Sequence, residues 1–389
     1  MSVKTKIMLI AAEASGDGLG AGLAASLKDR VGASLELSGV GGPRMAAEGI
    51  VSPFDIAELS ILGWIEGIKA YGRVKKRIDE TVAFVLREKP DAVVLIDSWG
   101  FTIRVAKAIR QVAPDIALIK YVGPQVWASR PKRAKTLAGA VDHLLALYTI
   151  DAPWFEREGL PTTVVGSSAL HIDMSGADGG KFRARRGIPA EAPLLLVLPG
   201  SRPSEIERMT GVYEETVKRA KAAIPDLQIA VIAAGTVVED VAGRVAAWPF
   251  RAHLVQEDEK YDAMKAADVA LATSGTVSSE IALAGTPMVI AYRIDNLSYM
   301  LMKRLVTAKY ITMLNLAADR EIAPEFIQHD ATPKNLSRAV IERLKNKAMA
   351  SAQSMAQTEA LDRLGRGGPR PSDVAADAVL SVLRDRKRI

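Results

Sequence analysis

Short apolar runs alternate with stretches of helical spacing along most of the chain, as in a parallel sheet whose strands are buried on both faces. In the first half the runs fall at 6–12, 35–40, 92–97, 117–122, 144–146 and 163–165. Amphipathic spacing there is clearest over 19–28, 73–87 and 103–112. The alternation restarts with runs at 194–198, 229–234, 253–255, 269–272 and 288–292, with a helix predicted near 205–223. Between the two sets, residues 173–181 read Asp-Met-Ser-Gly-Ala-Asp-Gly-Gly-Lys, a turn-rich stretch suited to a linker. From Pro333 onward the pattern is helical and charged. The expected fold class is α/β, with two Rossmann-like domains and a cleft between them. The expected boundaries are 1–172, a linker at 173–190, 191–345 and a helical tail at 346–389.

At 389 residues the chain exceeds what one core usually supports, which agrees with two domains. The absence of cysteine excludes disulfides, thiolate metal sites and cysteine nucleophiles. Four scattered histidines, His143, His171, His253 and His329, argue against a histidine-built metal site. No apolar stretch reaches the ~20 residues of a spanning helix, and the opening residues run into a strand pattern rather than a signal peptide. The expectation is a soluble or membrane-peripheral protein. A formal charge of +6 favours an anionic partner. With no dense basic tract and only 5% aromatic residues, a phosphorylated ligand or a membrane surface fits better than nucleic acid.

Two strand-end turns carry the clearest chemistry. Leu198-Pro199-Gly200-Ser201-Arg202 closes one apolar run, and Thr273-Ser274-Gly275-Thr276 closes another, with Glu280 one helical turn on. Such turns offer backbone N–H groups to phosphate, and a carboxylate at Glu280 suits ribose hydroxyls. Together they point to a nucleoside diphosphate. Arg202, forked and permanently charged, suits the neutralisation of a departing phosphate. Asp97 ends an apolar run and reads equally as a general base or as the cap of the helix after it. No Asp-x-Asp metal motif occurs, which fits a mechanism in which Arg202, helix N-termini and backbone N–H groups replace a cation, and neither a metal nor a cofactor is expected.

Gly16, Gly18, Gly20 and Gly22 imitate a dinucleotide loop, but Glu13 and Asp17 would repel a pyrophosphate. Ser15 and Asp17 suit sugar hydroxyls better. Trp64, Ile65, Ile68 and Tyr71 share a helical face with Arg73 and further cations beyond, a pattern that fits either an interfacial segment or a core-packed helix. Residues 297–305 form a second apolar-basic stretch, better read as core.

Taken together, these motifs resemble the lipid-A-disaccharide synthase family of bacterial outer-membrane assembly. The resemblance runs from about Ile7 to the C-terminus. It rests on Ala12-Glu13-Ala14-Ser15-Gly16-Asp17, Gly41-Gly42-Pro43-Arg44-Met45, Ile96-Asp97-Ser98 and Tyr121-Val122-Gly123-Pro124-Gln125-Val126-Trp127. Both strand-end turns, Pro287-Met288-Val289, Tyr292-Arg293, Asn315-Leu316 and Arg320-Glu321 complete it. It implies a GT-B fold, and the charged helical tail from Pro333 is expected to cross back onto the first domain or exchange with a partner, with a homodimer expected. The implied reaction is inverting, joining UDP-2,3-diacylglucosamine to 2,3-diacylglucosamine 1-phosphate. Asp97 becomes the base and Arg202 the leaving-group stabiliser. Gly200, Ser201, Arg202, Ser274, Gly275, Thr276, Glu280, Asn315, Arg320 and Glu321 are implied at UDP, and Glu13, Ser15, Gly16 and Asp17 at substrate. Trp64, Ile65, Ile68 and Arg73 then face lipid, placing the protein at the cytoplasmic face of the inner membrane of a Gram-negative cell.

One departure lies beside the chemistry. Where the family usually continues Asp-Ser/Ala-Pro-Asp-Phe, this chain has Asp97-Ser98-Trp99-Gly100-Phe101. A catalytically weak glycolipid-binding paralogue, or another GT-B-type enzyme acting on a UDP-amino sugar, are the alternatives.

Overall fold

A computed structural model describes residues 4–59, 64–295, 299–300, 306 and 308–386, except for the side chains of 64–71 and Thr236. The chain divides into two units, residues 1–167 with 368–389, and residues 168–367.

Unit 1 alternates strand and helix. In order it contains β1 (Thr5–Ala11), α1 (Ala14–Val31), β2 (Leu35–Val40), α2 (Pro43–Ala47), α3 (Trp64–Glu88), β3 (Ala92–Ile96), α4 (Trp99–Val112) and β4 (Ala117–Tyr121). Then follow α5 (Arg133–Ala138), β5 (His143–Ala146), α6 (Ala152–Glu156) and β6 (Thr162–Val164). Every pairing is parallel, in the order β2-β1-β3-β4-β5-β6. Covered on both faces, β3 and β4 have no exposed position, so they tolerate almost only apolar side chains. Burial of each large one contributes roughly 1.5–3 kcal/mol. Lys120, in the middle of β4, is the exception.

Unit 2 repeats the plan with α7 (Gly179–Arg186), β7 (Leu194–Leu198), α8 (Pro203–Ala223), β8 (Gln228–Ile232), α9 (Val238–Ala246), β9 (His253–Val255), α10 (Lys260–Ala266), β10 (Val269–Thr273) and α11 (Val277–Leu283). It continues through β11 (Met288–Tyr292), α12 (Met313–Ala318), β12 (Glu325–Ile327), α13 (Pro333–Lys345) and α14 (Lys347–Arg363). Its sheet, again parallel, runs β12-β11-β10-β7-β8-β9.

The final helix, α15 (Pro371–Asp385), returns to unit 1 as expected of a crossing-back tail. Its Ala375, Ala376, Val379 and Leu383 are fully buried with Leu23, Leu27 and the strand residues Ile7 and Leu9. Asp373 accepts hydrogen bonds from Ser26 at 2.9 Å and Arg30 at 3.1 Å, which fixes α15 along α1.

Two readings of the sequence change. The segment taken as a linker contains α7, started by the Asp178 carboxylate accepting from the Lys181 N–H and ended by Gly187 at φ +65°. The glycines 16–22, read as a loop, are the first turns of α1. Small residues are needed there because α1 lies against the strand ends. A Cβ on Gly16 would meet Ala11 Cβ at 3.3 Å and the Ile96 carbonyl at 3.4 Å.

Candidate active site

Strand order reverses direction once in each sheet. In unit 1 the chain passes from β1 to β2 on one side and reaches β3 on the other; in unit 2 it passes from β7 to β8 and reaches β10. Loops leaving the carboxyl ends of two such strands diverge to opposite faces and open a ligand crevice. The register matches in both sheets. Ala11 pairs with Ile96 and Leu198 with Ala272, so each pair of loops departs side by side.

At the unit 1 switch point the loops are cross-stitched. Ser15 Oγ donates to Asp97 Oδ2 at 2.8 Å, and Ser98 Oγ donates to Glu13 Oε1 at 2.9 Å. Asp97 and Ser98 both have left-handed backbone, φ +51° and +39°, and Val122 after β4 has φ +67°. Three strained non-glycine residues at adjacent strand ends are the kind of backbone cost that folds retain at functional sites. Ser98 stands at the N-cap position of α4 without a side-chain cap hydrogen bond, and the Asp97 carboxylate accepts from Ser15 across the loops. Asp97 is half-buried, and its Oδ1 has no hydrogen-bond partner among the described residues. Glu13 and Ser15 are exposed beside it, and Gly16 is buried behind it.

Beneath Asp97 lies a residue that the sequence reading overlooked. Lys120 is 1% exposed, and its Nζ donates to the Asp97 carbonyl and, at 2.9 Å, to Thr102 Oγ1. Burial pushes its ammonium down to about 7, against the upward pull of Asp97 and Glu13. The signal was available: one lysine inside the otherwise apolar run Ala-Leu-Ile-Lys-Tyr.

Asp17 is committed within the fold. It is 1% exposed, and its carboxylate accepts from the backbone N–H groups of Gly42 (2.7 Å), Arg44 (2.9 Å) and Met45 (3.0 Å). It anchors the start of α2 to α1, a structural role. Trp127 serves a similar end, its Nε1 donating to buried Asp151 at 2.8 Å. Burial raises the Asp151 carboxyl to about 6 despite that bond.

The unit 2 switch point gathers the two turns that suggested a diphosphate. Thr273 Oγ1 donates to the Pro199 carbonyl at 2.9 Å and so ties the β10 loop to the β7 loop. Gly200 has φ +128°, and a Cβ there would lie 2.6 Å from Glu205 Cβ. Glu205, buried at the start of α8, accepts from the Ser201 N–H at 3.0 Å and pairs with Arg202 at 3.2 Å. It thereby braces the turn and orients the exposed Arg202 guanidinium, whose side chain is 68% accessible. Ser274 is half-buried and Gly275 and Thr276 are exposed at the mouth of the second turn. Glu280 Oε2 lies 3.1 Å from Lys260 Nζ. Burial pulls the Lys260 ammonium down, but Glu257 and Glu280 outweigh it and hold it above its usual value.

Asn315 is committed within the fold in the same way. It is fully buried, and its amide donates at 2.7 Å to both the Ala323 carbonyl and Glu325 while its oxygen accepts from the Ile322 and Ala323 N–H groups. These bonds hold α12 to the approach of β12. Arg320 and Glu321 are exposed on that approach. Of the lipid-facing set, Arg73 is exposed on α3, whereas the side chains of Trp64, Ile65 and Ile68 lie outside the described residues, as does most of 297–305. Among the described residues, no helix is long and apolar enough to cross a membrane.

Solved structures of low identity share the fold. A glycotransferase of kitacinnamycin superposes with TM-score 0.62 at 18% identity, covering 98% of this chain and 99% of that one. A UDP-GlcNAc 2-epimerase from Neisseria meningitidis, bound to UDP-GlcNAc, gives TM-score 0.59 at 12% identity, covering 97% and 100%. Sequence relatives are much nearer. The lipid-A-disaccharide synthase of Rhodospirillum centenum is 42% identical over 381 residues, spanning 98% of this chain and 95% of the relative. That of Paramagnetospirillum magneticum is 39% identical over 383 residues, 98% of each. The family model described as lipid-A-disaccharide synthetase matches residues 7–378. With two parallel Rossmann-like sheets of GT-B type and a family match over nearly its whole length, the chain belongs to the lipid-A-disaccharide synthase family of glycosyltransferases.

Proposed function

We propose that this enzyme condenses UDP-2,3-diacylglucosamine with 2,3-diacylglucosamine 1-phosphate, forming a β-1,6-linked disaccharide 1-phosphate and UDP. Asp97 takes the proton of the acceptor 6-hydroxyl as that oxygen attacks the anomeric carbon of the donor. The anomeric C–O bond breaks with its electron pair going to the UDP β-phosphate, and a single displacement inverts the centre. Arg202, with the N–H groups of the Gly200-Ser201 turn, stabilises the negative charge that develops on the leaving diphosphate, typically the largest catalytic contribution. Ser274, Gly275 and Thr276 hold the rest of UDP, and Glu280 accepts from ribose hydroxyls. Glu13 and Ser15 position the acceptor sugar beside Asp97. Arg320 and Glu321 remain assigned to the rim of the UDP site.

The observation that carries this reading is the coincidence, in both sheets, of the family's motifs with the loops that flank the switch point. The acyl chains of both substrates call for access to a membrane surface. The exposed Arg73, Lys75 and Lys76 on α3 support contact with anionic lipid at the cytoplasmic face of the inner membrane. A homodimer belongs to the same reading.

Mass spectrometry tests the reaction directly. Purified protein in detergent, given both glycolipids, is expected to yield the tetraacyl disaccharide phosphate with one UDP per product. Release of UDP without disaccharide, or no turnover despite UDP-sugar binding, would overturn the assignment in favour of another acceptor or a binding role.

A further inference from the structure

A cavity of about 360 Å³ opens on unit 1 between α4 and α5, directly beyond the Asp97-Ser98 turn. Trp99, Ile103, Arg104 and Lys107 come from one face of α4, and Arg133 and Thr136 come from α5. Its floor is apolar, since Trp99 and Ile103 pack against the main unit 1 core. Its walls are cationic. Arg133 is half-buried with its guanidinium 5.3 Å above the Trp99 ring, and Arg104 and Lys107 are exposed. Among the described residues, none of these three cations has a carboxylate within ion-pair distance. This contrasts with Arg77, Arg110 and Arg183, which are all paired. Burial, followed by the neighbouring Arg130, lowers the Arg133 pKa, the direction expected where no described carboxylate compensates.

Concentrated cations over an apolar floor match a ligand carrying phosphate on a hydrophobic body. We infer that the α4–α5 groove binds the phosphate-bearing end of the acylated acceptor, with Arg104, Lys107 and Arg133 on the phosphate and Trp99 and Ile103 against acyl chain. This deepens the proposed function and rests on it for the identity of the acceptor. The acceptor carries a phosphate, the donor's own phosphates belong to the unit 2 turns, and the groove begins two residues after the base that must meet the acceptor hydroxyl. The local departure from the family pattern gains a purpose. Arg104 Nη1 donates to the Gly100 carbonyl, and a Cβ at Gly100 would lie 3.8 Å from it, so a carboxylate there would compete with the ligand for that guanidinium, whereas glycine adds no charge.

Direct binding without donor separates this inference from the condensation reaction. The full chain in detergent is titrated with 2,3-diacylglucosamine 1-phosphate and with the same glycolipid lacking phosphate. The wild type is expected to prefer the phosphorylated form at least tenfold. Arg133→Gln, and the double variant Arg104→Gln/Lys107→Gln, should abolish the preference while UDP affinity stays intact. Arg133→Lys should keep part of it, and Gly100→Asp should weaken it. No preference in the wild type, or a preference that survives both neutralising variants, overturns the inference. So does equal affinity for inorganic phosphate, which would mark a free-anion site. Variants that lose only binding to phosphatidylglycerol vesicles would reassign the face to the bilayer. Disaccharide synthesis with an unchanged acceptor KM in the variants would sink the groove and spare the reaction. A phosphate preference without synthesis would spare the groove and sink the reaction.

Discussion

Replacing Lys120 with methionine removes a buried amine while keeping an unbranched chain of similar reach. In the folded protein burial takes this group from 10.5 down to about 7. Between those values the unfolded chain holds a proton that the folded chain lacks, so stability rises with pH across the window. Below pH 7 both states are protonated, and the cost of burying the cation is felt in full. Above 10.5 both are neutral and that cost is gone. The slope is at most about 1.4 kcal/mol per pH unit, giving about 2–3 kcal/mol between pH 7.5 and 9.5.

The window is favourable. Burial holds His143 and His253 below 6.5 and raises Asp151 only to about 6, so these titrate beneath it. Burial also lifts Tyr121, Tyr148 and Tyr213 above 10, clear of its upper end. Nor does the substitution orphan a neighbour, because Thr102 Oγ1 still reaches the Asp97 carbonyl at 2.8 Å. Urea unfolding at a series of pH values, followed by tryptophan fluorescence, reads the effect. Of the 5 tryptophans, Trp64, Trp99, Trp127 and Trp154 lie in residues 1–167, so the signal reports chiefly on unit 1. The wild type should gain about 2–3 kcal/mol relative to Lys120→Met from pH 7.5 to 9.5. Parallel curves for the two proteins would refute the reasoning.

Asp17→Ala should leave the N–H groups of Gly42, Arg44 and Met45 without their acceptor and cost on the order of 3 kcal/mol. Urea denaturation at neutral pH checks this, and a loss under about 0.5 kcal/mol would contradict a structural role. Gly200→Ala forces a Cβ to within 2.6 Å of Glu205 Cβ at φ +128° and should distort the turn that presents Arg202. UDP titration should then show affinity reduced at least tenfold, and wild-type affinity would remove that turn from the UDP site.

The central strands were legible because β3 and β7 are continuous apolar runs, and β4 and β10 are apolar but for Lys120 and Thr273, as two-faced burial in a parallel sheet requires. The beginning of α1 was hidden by its glycines, whose tight approach to the strand ends exists only in the folded chain. The segment from 178 to 187 did carry a helix signature, Asp178 before and Gly187 after, but the glycines between them read as a linker. At three residues β12 is too short to show a period. Motif chemistry located both switch points, yet it did not show which of the motif residues brace the loops. Asp17 and Asn315 match the family as well as Asp97 does, and only burial and saturated hydrogen bonding separate them. The α4–α5 groove was equally invisible, since its walls come from residues some thirty positions apart.

The steady-state kinetics of Asp97→Asn, measured with both glycolipids by mass spectrometry, most directly test whether the unit 1 switch point is the seat of acceptor activation. Asparagine keeps the hydrogen bond from Ser15 but cannot take a proton. The expected result is kcat lower by roughly 10²- to 10⁴-fold, with binding of donor and acceptor close to wild type. A variant that makes the disaccharide at the wild-type rate would contradict it.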